Sequence, residues 1–285
     1  MLKLEQVTKY RGTFGLENIS FHLPEGYIMG LIGANGAGKT TLIHLIMNLL
    51  NKHTGKIEIF GLDNVKDEKK IKDQIGFVYD ENCFYEYLSI KSMSKILSKF
   101  YSQWDWEVYR DLLQRMELNE DDKIKNLSKG MKMKYSIVTA LCHHARLILM
   151  DEPTAGLDPV VRREVLHLFQ EYLEKEKSSI LFSTHLTSDL DKVADHLTFI
   201  KDGRLIFSKS TLEVQETFIL IKGSNARFDE RLRKLCKGYE QTSLGFSALA
   251  DKQELSSFDL SSLMVEIPSI EDIMYFYDRK KGGEL

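Results

Sequence analysis

The octet GANGAGKT, Gly33 to Thr40, follows the apolar run YIMGLI and opens directly into TTLIHLIMNLL. A strand, a glycine-rich turn and a helix in that order satisfy G-x-x-x-x-G-K-[ST] in the context that gives the pattern meaning. Glycines at 33, 36 and 38, with Asn35 between them, let backbone N–H groups turn inward around phosphate oxygens, and the following helix presents its positive end to them. Lys39 is then placed to reach the β- and γ-phosphates and the Thr40 hydroxyl to bind Mg²⁺. The alternative is a glycine-rich turn that matches by chance, which the flanking strand and helix disfavour and the later motifs disfavour further.

Other apolar runs end in polar loops: KIEIFG at 56 to 61, RLILMDEP at 146 to 153 and SILFSTH at 179 to 185. They lack strict alternation and are separated by helical patterns, which predicts strands of an α/β sheet covered by helices. From about Leu88 to Asn126 the spacing is helical and charged, a helix-rich insertion. HLTFIKDGRLIF at 196 to 207 predicts a hairpin turning at Asp202-Gly203. Beyond Thr211, ETFILIKGS predicts a strand and NARFDERLRKLC a helix. LMVEIPSIEDIMYFYDRK predicts a strand running into a helix capped by Ser269, with Asp272 in its first turn, and the polar end after Arg279 is expected to fray.

LILMDEP brings Asp151 and Glu152 to the carboxyl end of a buried strand, where ligands of open α/β sheets collect. Beside a nucleoside triphosphate, Asp151 would serve the metal and Glu152 would polarise the attacking water as general base. His185, just past another strand, would bond phosphate and orient that water. An acidic pair or a histidine at a strand end is alone only an ordinary surface feature.

Composition removes several function classes. Lys and Arg total 39 against 42 for Asp and Glu, a formal net charge of -3, so no basic field for nucleic acid is expected. Cys83, Cys142 and Cys236 are odd in number and far apart, which argues for a reducing compartment rather than a disulfide framework. The start, MLKLEQVTKYRG, lacks the apolar core of a signal peptide, and no run approaches the ~18 to 20 apolar residues that span a bilayer.

The order GANGAGKT, LSKGM, LILMDEP, GLDP and STH resembles the ATP-binding subunit of ABC transporters across residues 1 to about 210. The resemblance implies a P-loop NTPase core of the ABC ATPase type at 1–210, with a helical subdomain at about 88–140; the strand and helix patterns beyond it make 211–285 a small αβ appendage, expected to serve dimerisation or regulation. LSKGM matches the family signature LSGGQ, so Ser128 and the backbone at Gly130 would bind the γ-phosphate of an ATP held by the opposite subunit. That accounts for a stretch without any acid, base or strong nucleophile: its expected task is clamping. The family also implies a Tyr10 ring stacked on adenine, a phosphate bond from Thr41, and Gly156-Leu157-Asp158 as a link between the two sites. Where the family has glutamine as a Mg²⁺ sensor, this chain has Asp80 in GFVYDEN, and Lys129 and Met131 replace the usual Gly and Gln of the signature.

The function so implied is an ATP hydrolase using ATP and Mg²⁺, working as a homodimer or as a heterodimer with a related ATPase. It would power export through separate membrane permease subunits docked on the helical insertion and the loop from Asp80 to Ser92. Its address is cytoplasmic, peripheral on the inner face of the cell membrane, with membrane-active peptides as the expected cargo. The competing class is a soluble ABC-type ATP switch, which usually carries two ATP domains or long coiled coils. Cys142-His143-His144 invites a metal, but adjacent helical residues point about 100° apart. Trp104 and Trp106 are expected to anchor the insertion, and Lys129, Lys132 and Lys134 to form a solvated helix face.

Overall fold

Residues 2 to 23, which hold no continuous apolar run, fold as an antiparallel hairpin of β1 (Leu2–Arg11) and β2 (Phe14–Leu23). Their ladder shifts register between Leu4 and Lys9, which breaks the period of two that would have marked the strand. The computed structural model describes residues 1–79, 83–256 and 258–279. The chain divides into two compact units, Met1–His185 with Thr198–Ser208, and Leu186–Leu197 with Lys209–Leu285.

In the first unit, β3 (Ile28–Ile32) is buried along its whole length and delivers the glycine-rich loop to α1 (Lys39–Ile46). β4 (Thr54–Ile59) pairs antiparallel with β1, and β5 (Leu62–Asp63) with β4. KIEIFG is therefore largely a half-exposed antiparallel strand, not one of the helix-covered strands expected of it. After α2 (Glu68–Lys72), β6 (Ile75–Val78) begins the parallel part of the sheet. The helical insertion supplies α3 (Ile90–Leu97), α4 (Trp106–Arg115) and α5 (Lys129–Leu141). The chain then returns through β7 (Leu147–Asp151), α6 (Pro159–Glu176) and β8 (Ser179–Ser183), with β6–β7, β7–β8 and β3–β8 all parallel. β9 (His196–Lys201) and β10 (Arg204–Ser210) follow, turning at Asp202 (φ 48) and Gly203 (φ 74), the left-handed pair that matches strand twist. The sheet runs β5-β4-β1-β2-β10-β9-β3-β8-β7-β6. Leu31, Leu149 and Leu181 of the sheet pack in one cluster with Leu42 and Ile46 of α1, and all five are within 1% of full burial, each worth about 1.5–3 kcal/mol in removed apolar surface.

The insertion is tied to the sheet at several points. Gly76 on β6 lies so close to α5 that a Cβ there would sit 2.3 Å from the Ala140 carbonyl oxygen. Trp104, Trp106 and Tyr109 form an aromatic cluster with ring centroids 5.3 to 6.0 Å apart. Among the lysines expected to be solvated, Lys132 pairs with Glu86 at 3.0 Å and Lys134 donates to the Met116 carbonyl at 3.2 Å. Both histidines after Cys142 are engaged locally. His143 is buried, with its ring nitrogens 3.1 Å from the Thr139 and Ile75 carbonyls. The ring of His144 bridges Glu176 of α6 (3.0 Å) and Asp105, the N-cap of α4 (3.3 Å).

Both His144 nitrogens can donate only in the imidazolium. Burial works against that charge, but the hydrogen bonds and charges of Glu176 and Asp105 outweigh it, and the pKa is raised above 6.5. The folded chain thus holds a proton that the unfolded chain releases. This contribution is complete below 6.5 and is lost as pH rises through the raised value. Thermal unfolding across that window should show a stability decline that His144→Ala flattens. An unchanged pH profile in the variant would dismiss the link.

In the second unit, α7 (Thr187–Val193) joins residues that come after β10 in the chain. α8 (Thr211–Thr217) leads into β11 (Phe218–Gly223), followed by α9 (Glu230–Leu235), β12 (Cys236–Gln241), β13 (Phe246–Asp251) and β14 (Met264–Glu266). These strands form an antiparallel sheet in the order β12-β13-β11-β14. The helix expected across 225–236 is shorter than predicted, because Asp229 caps it and Cys236 already belongs to a strand. α10 (Ile270–Asp278) begins with a reciprocal cap, Asp272 N–H to Ser269 Oγ at 3.0 Å and Ser269 N–H to Asp272 Oδ2 at 2.9 Å. The polar end beyond Arg279 lies outside the described residues.

Candidate functional site

Gly38, the N-cap of α1, holds φ at 110, and a Cβ on it would meet Leu16 Cδ2 at 2.6 Å. A Cβ at Gly33 would stand 2.3 Å from the Ile200 carbonyl oxygen. The loop is thus wound tightly enough to exclude side chains at both positions. Its rim at Asn35, Gly36 and Thr40 is exposed and Thr41 half-buried, while Lys39 is only 6% exposed. Lys39 Nζ donates to the carbonyls of Gly33 (2.8 Å) and Ala34 (3.3 Å). Burial lowers its pKa from the ordinary 10.5, and the carboxylates of Glu152 and Asp151 act against that shift. Electrostatically, the loop and the end of β7 are one site.

Asp151 is 3% exposed and its Oδ1 accepts from the Ser183 hydroxyl on the neighbouring strand. Glu152 follows with φ 52, and its N–H is bonded to the Ser183 carbonyl at 3.1 Å. Its Oε2 accepts from His185 twice, from the backbone N–H at 3.3 Å and from ring Nδ1 at 2.8 Å. With Nδ1 so committed, Nε2 is the ring nitrogen left for a ligand. The pair puts the more exposed imidazole (52%) in front of the more buried carboxylate (15%). Sequence reasoning placed both residues near phosphate but had no means of seeing that they bond to each other.

Tyr10 is 54% exposed and pairs with Gly15 across the hairpin. A Cβ at Gly15 would lie 2.5 Å from Tyr10 Cδ1, so the ring rests over a position that only glycine leaves open. The same hairpin reaches the phosphate loop, since Phe14 and Leu16 are the side chains nearest to Gly38. His53 is an unforeseen neighbour, its ring 5.8 Å from that of Tyr10 and its Nδ1 accepting the Tyr10 N–H at 3.0 Å. No motif surrounds His53 in the sequence, and only strand pairing brings it there.

A second cluster is formed by the signature and GLDP segments of the same chain. Ser128 caps α5, accepting the Met131 N–H at 3.1 Å. A Cβ on Gly130 would fall 3.5 Å from Leu157 Cδ2 and 3.8 Å from the Gly156 carbonyl oxygen. The aliphatic part of Lys129 faces Gly156. Asp158 caps α6 by accepting from Val160 (3.0 Å) and Val161 (3.1 Å). Asp80 lies outside the described residues.

A buried lysine in a glycine-rich strand-to-helix loop, facing an aspartate and a Glu–His pair at adjacent parallel strand ends, defines a P-loop nucleoside-triphosphate hydrolase. Residues 16–155 match the family model described as ABC transporter. The chain is 32% identical over 223 residues to the ABC transporter ATP-binding protein YtrB of Bacillus subtilis, covering 78% of this chain and 76% of that protein. It belongs to the ATP-binding proteins of ABC transporters, and is accordingly an ATP-binding and ATP-hydrolysing subunit. It is also 31% identical to the bacitracin transport ATP-binding protein BcrA of Bacillus licheniformis, covering 72% of this chain and 68% of that one. With the lantibiotic transport ATP-binding protein SrtF of Streptococcus pyogenes the identity is 31%, over 73% of this chain and 90% of that one. A solved ATP-binding subunit of an ABC transporter superposes with a TM-score of 0.70 at 26% identity, over 75% of this chain and 92% of that one. A dimeric ATP-binding cassette bound to ADP and Pi shares the fold, with a TM-score of 0.66 at 23% identity over 74% of this chain and 98% of that one.

Proposed function

We propose that this subunit hydrolyses ATP between two such chains and thereby drives export through separate permease subunits. The observation that carries this is the Glu152–His185 pair beside a buried Asp151, with both carboxylates in the electrostatic neighbourhood of Lys39. Lys39, Thr41 and the backbone from Gly33 through Asn35 and Gly36 to Gly38 bind phosphates, and Tyr10 supplies a face for adenine. Glu152 takes the proton of the attacking water while a ring N–H of His185 donates to the γ-phosphate. Ser128 and Gly130 close on the ATP of the opposite chain, and Asp158 stiffens the segment between the two sites. The opposite chain is a second copy or a related ATPase.

The donors suit Mg²⁺: Thr40 offers an exposed hydroxyl in the first turn of α1 and Asp151 a buried carboxylate, both hard oxygens of the kind this ion takes together with nucleotide phosphates. When bound, Mg²⁺ would neutralise charge on the β- and γ-phosphates. Asp80 is the remaining oxygen donor proposed to sense it.

No helix of the described residues is long and apolar enough to cross a membrane, so the membrane path is assigned to permeases. A groove of about 640 Å³ between the end of β6 and the insertion, lined by Phe77, Tyr79, Leu97, Tyr101, Lys132 and Met133, has the apolar floor that an amphipathic docking helix needs. The subunit would then sit on the inner face of the cell membrane. Peptides that act on membranes are the cargo favoured by the likeness to bacitracin and lantibiotic transport proteins. The 211–285 appendage is assigned to dimerisation or regulation. Copurification of the full chain from native membranes should bring down an integral membrane permease in fixed stoichiometry. Recovery of the chain from the soluble fraction alone, with full ATPase activity at any dilution, would contradict both parts of the proposal.

A further inference from the structure

Ser183 closes β8 directly opposite Asp151 and is fully buried. Its hydroxyl donates to Asp151 Oδ1, and its carbonyl accepts the Glu152 N–H at 3.1 Å. Two residues further on, His185 takes the Glu152 side chain. One strand end therefore holds both acids of the neighbouring strand, by different atoms and for different ends. The two Ser183 bonds are chemically separable. The carbonyl bond belongs to the backbone and survives substitution, while the hydroxyl bond belongs to serine or threonine alone.

The terminal torsion of an aspartate is soft and nearly two-fold, so a buried carboxylate with no partner has no defined direction. A cationic partner would fix that direction but neutralise the charge a metal requires. A neutral hydroxyl donating to one oxygen fixes the direction, keeps the charge and leaves Oδ2 as the oxygen to turn toward a cation. It also compensates part of the cost of holding an anion at 3% exposure.

We infer that Ser183 is the positioning residue for the metal-facing carboxylate: its hydroxyl orients Asp151 toward the divalent cation that accompanies ATP. The inference rests on the metal role of Asp151 proposed above. It goes further by assigning a residue at the end of β8, outside the phosphate loop and the acidic strand, to the strength of metal binding.

The test uses the purified full chain, with Mn²⁺ binding to the chain–ATP complex followed by electron paramagnetic resonance, and ATP binding measured separately in EDTA. Ser183→Ala should weaken Mn²⁺ binding by about 10- to 100-fold, the usual effect of losing such an outer hydrogen bond. ATP binding in EDTA should be unaltered, and Ser183→Thr should restore Mn²⁺ affinity. Asp151→Asn separates the two levels of the idea. If Asp151→Asn weakens Mn²⁺ binding and Ser183→Ala does not, the positioning role is overturned while the metal role stands. If Asp151→Asn itself has no effect, both fall. Loss of ATP binding in EDTA by Ser183→Ala, or no recovery with Ser183→Thr, would reduce Ser183 to a packing residue and overturn the inference.

Discussion

Glu152→Gln is expected to slow ATP hydrolysis by about 10²- to 10⁴-fold, the span that a positioned general base supplies, while ATP binding stays within a few-fold of the parent. Glutamine keeps a side-chain oxygen where Glu152 Oε2 accepts from the His185 N–H and Nδ1, so the pair's geometry is retained. It also keeps the residue bonded to the Ser183 carbonyl through the backbone. What it loses is the ability to take a proton and the charge opposite the imidazole. Binding and hydrolysis are then separated, and ATP-bound chains should accumulate as closed dimers. Single-turnover hydrolysis and size-exclusion chromatography with ATP and Mg²⁺ provide the two readouts. A variant that hydrolyses ATP within tenfold of the parent would remove Glu152 from the role of base, and a variant that stays monomeric would weaken the two-chain site.

Gly76→Ala should be among the most damaging single-methyl changes in the first unit, although Gly76 is in no nucleotide motif. The added Cβ would lie 2.3 Å from the Ala140 oxygen and 3.1 Å from its carbonyl carbon. Those are backbone atoms of α5, so no side chain can swing aside, and either the helix or the strand must move. Overpacking of this kind costs about 1–3 kcal/mol and sometimes more; at about 2–4 °C per kcal/mol the unfolding midpoint should fall by several degrees. α5 begins at Lys129 with Ser128 as its cap, so a displaced helix also moves the signature. Turnover should fall more steeply than ATP binding, which depends on the loop after β3. Calorimetry of the variant beside ATPase and ATP-binding measurements tests this. A wild-type midpoint would mean that β6 and α5 separate without cost.

Elements with contiguous signals could be read from the chain itself. The loop from Gly33 to Thr40, the strand ending at Asp151 and the turn at Asp202-Gly203 each carry their instructions within a dozen residues, because turn geometry and strand burial are local properties. The reciprocal cap of Ser269 and Asp272 is equally local, being two hydrogen bonds between residues three apart. The hairpin of β1 and β2 was less legible, since its register shift hides the alternation. The helix expected across 225–236 runs one residue into β12, because Cys236 pairs with Ala250 of β13 and that ladder overrides the helical pattern.

The sequence by itself determined that this protein is an ATP-binding subunit and which loop is proposed to take the phosphates, because that task needs residue types at fixed short spacing: glycines for close approach, a lysine for charge, acids at a strand end. Tertiary structure alone decided which distant side chains complete those groups. It set Ser183 against Asp151, His185 against Glu152, His53 beside Tyr10 and Gly76 under α5. The physical reason is range: hydrogen bonds and packing act over a few ångströms in space whatever the separation along the chain, and strand order, which no local pattern encodes, decides which residues come within it.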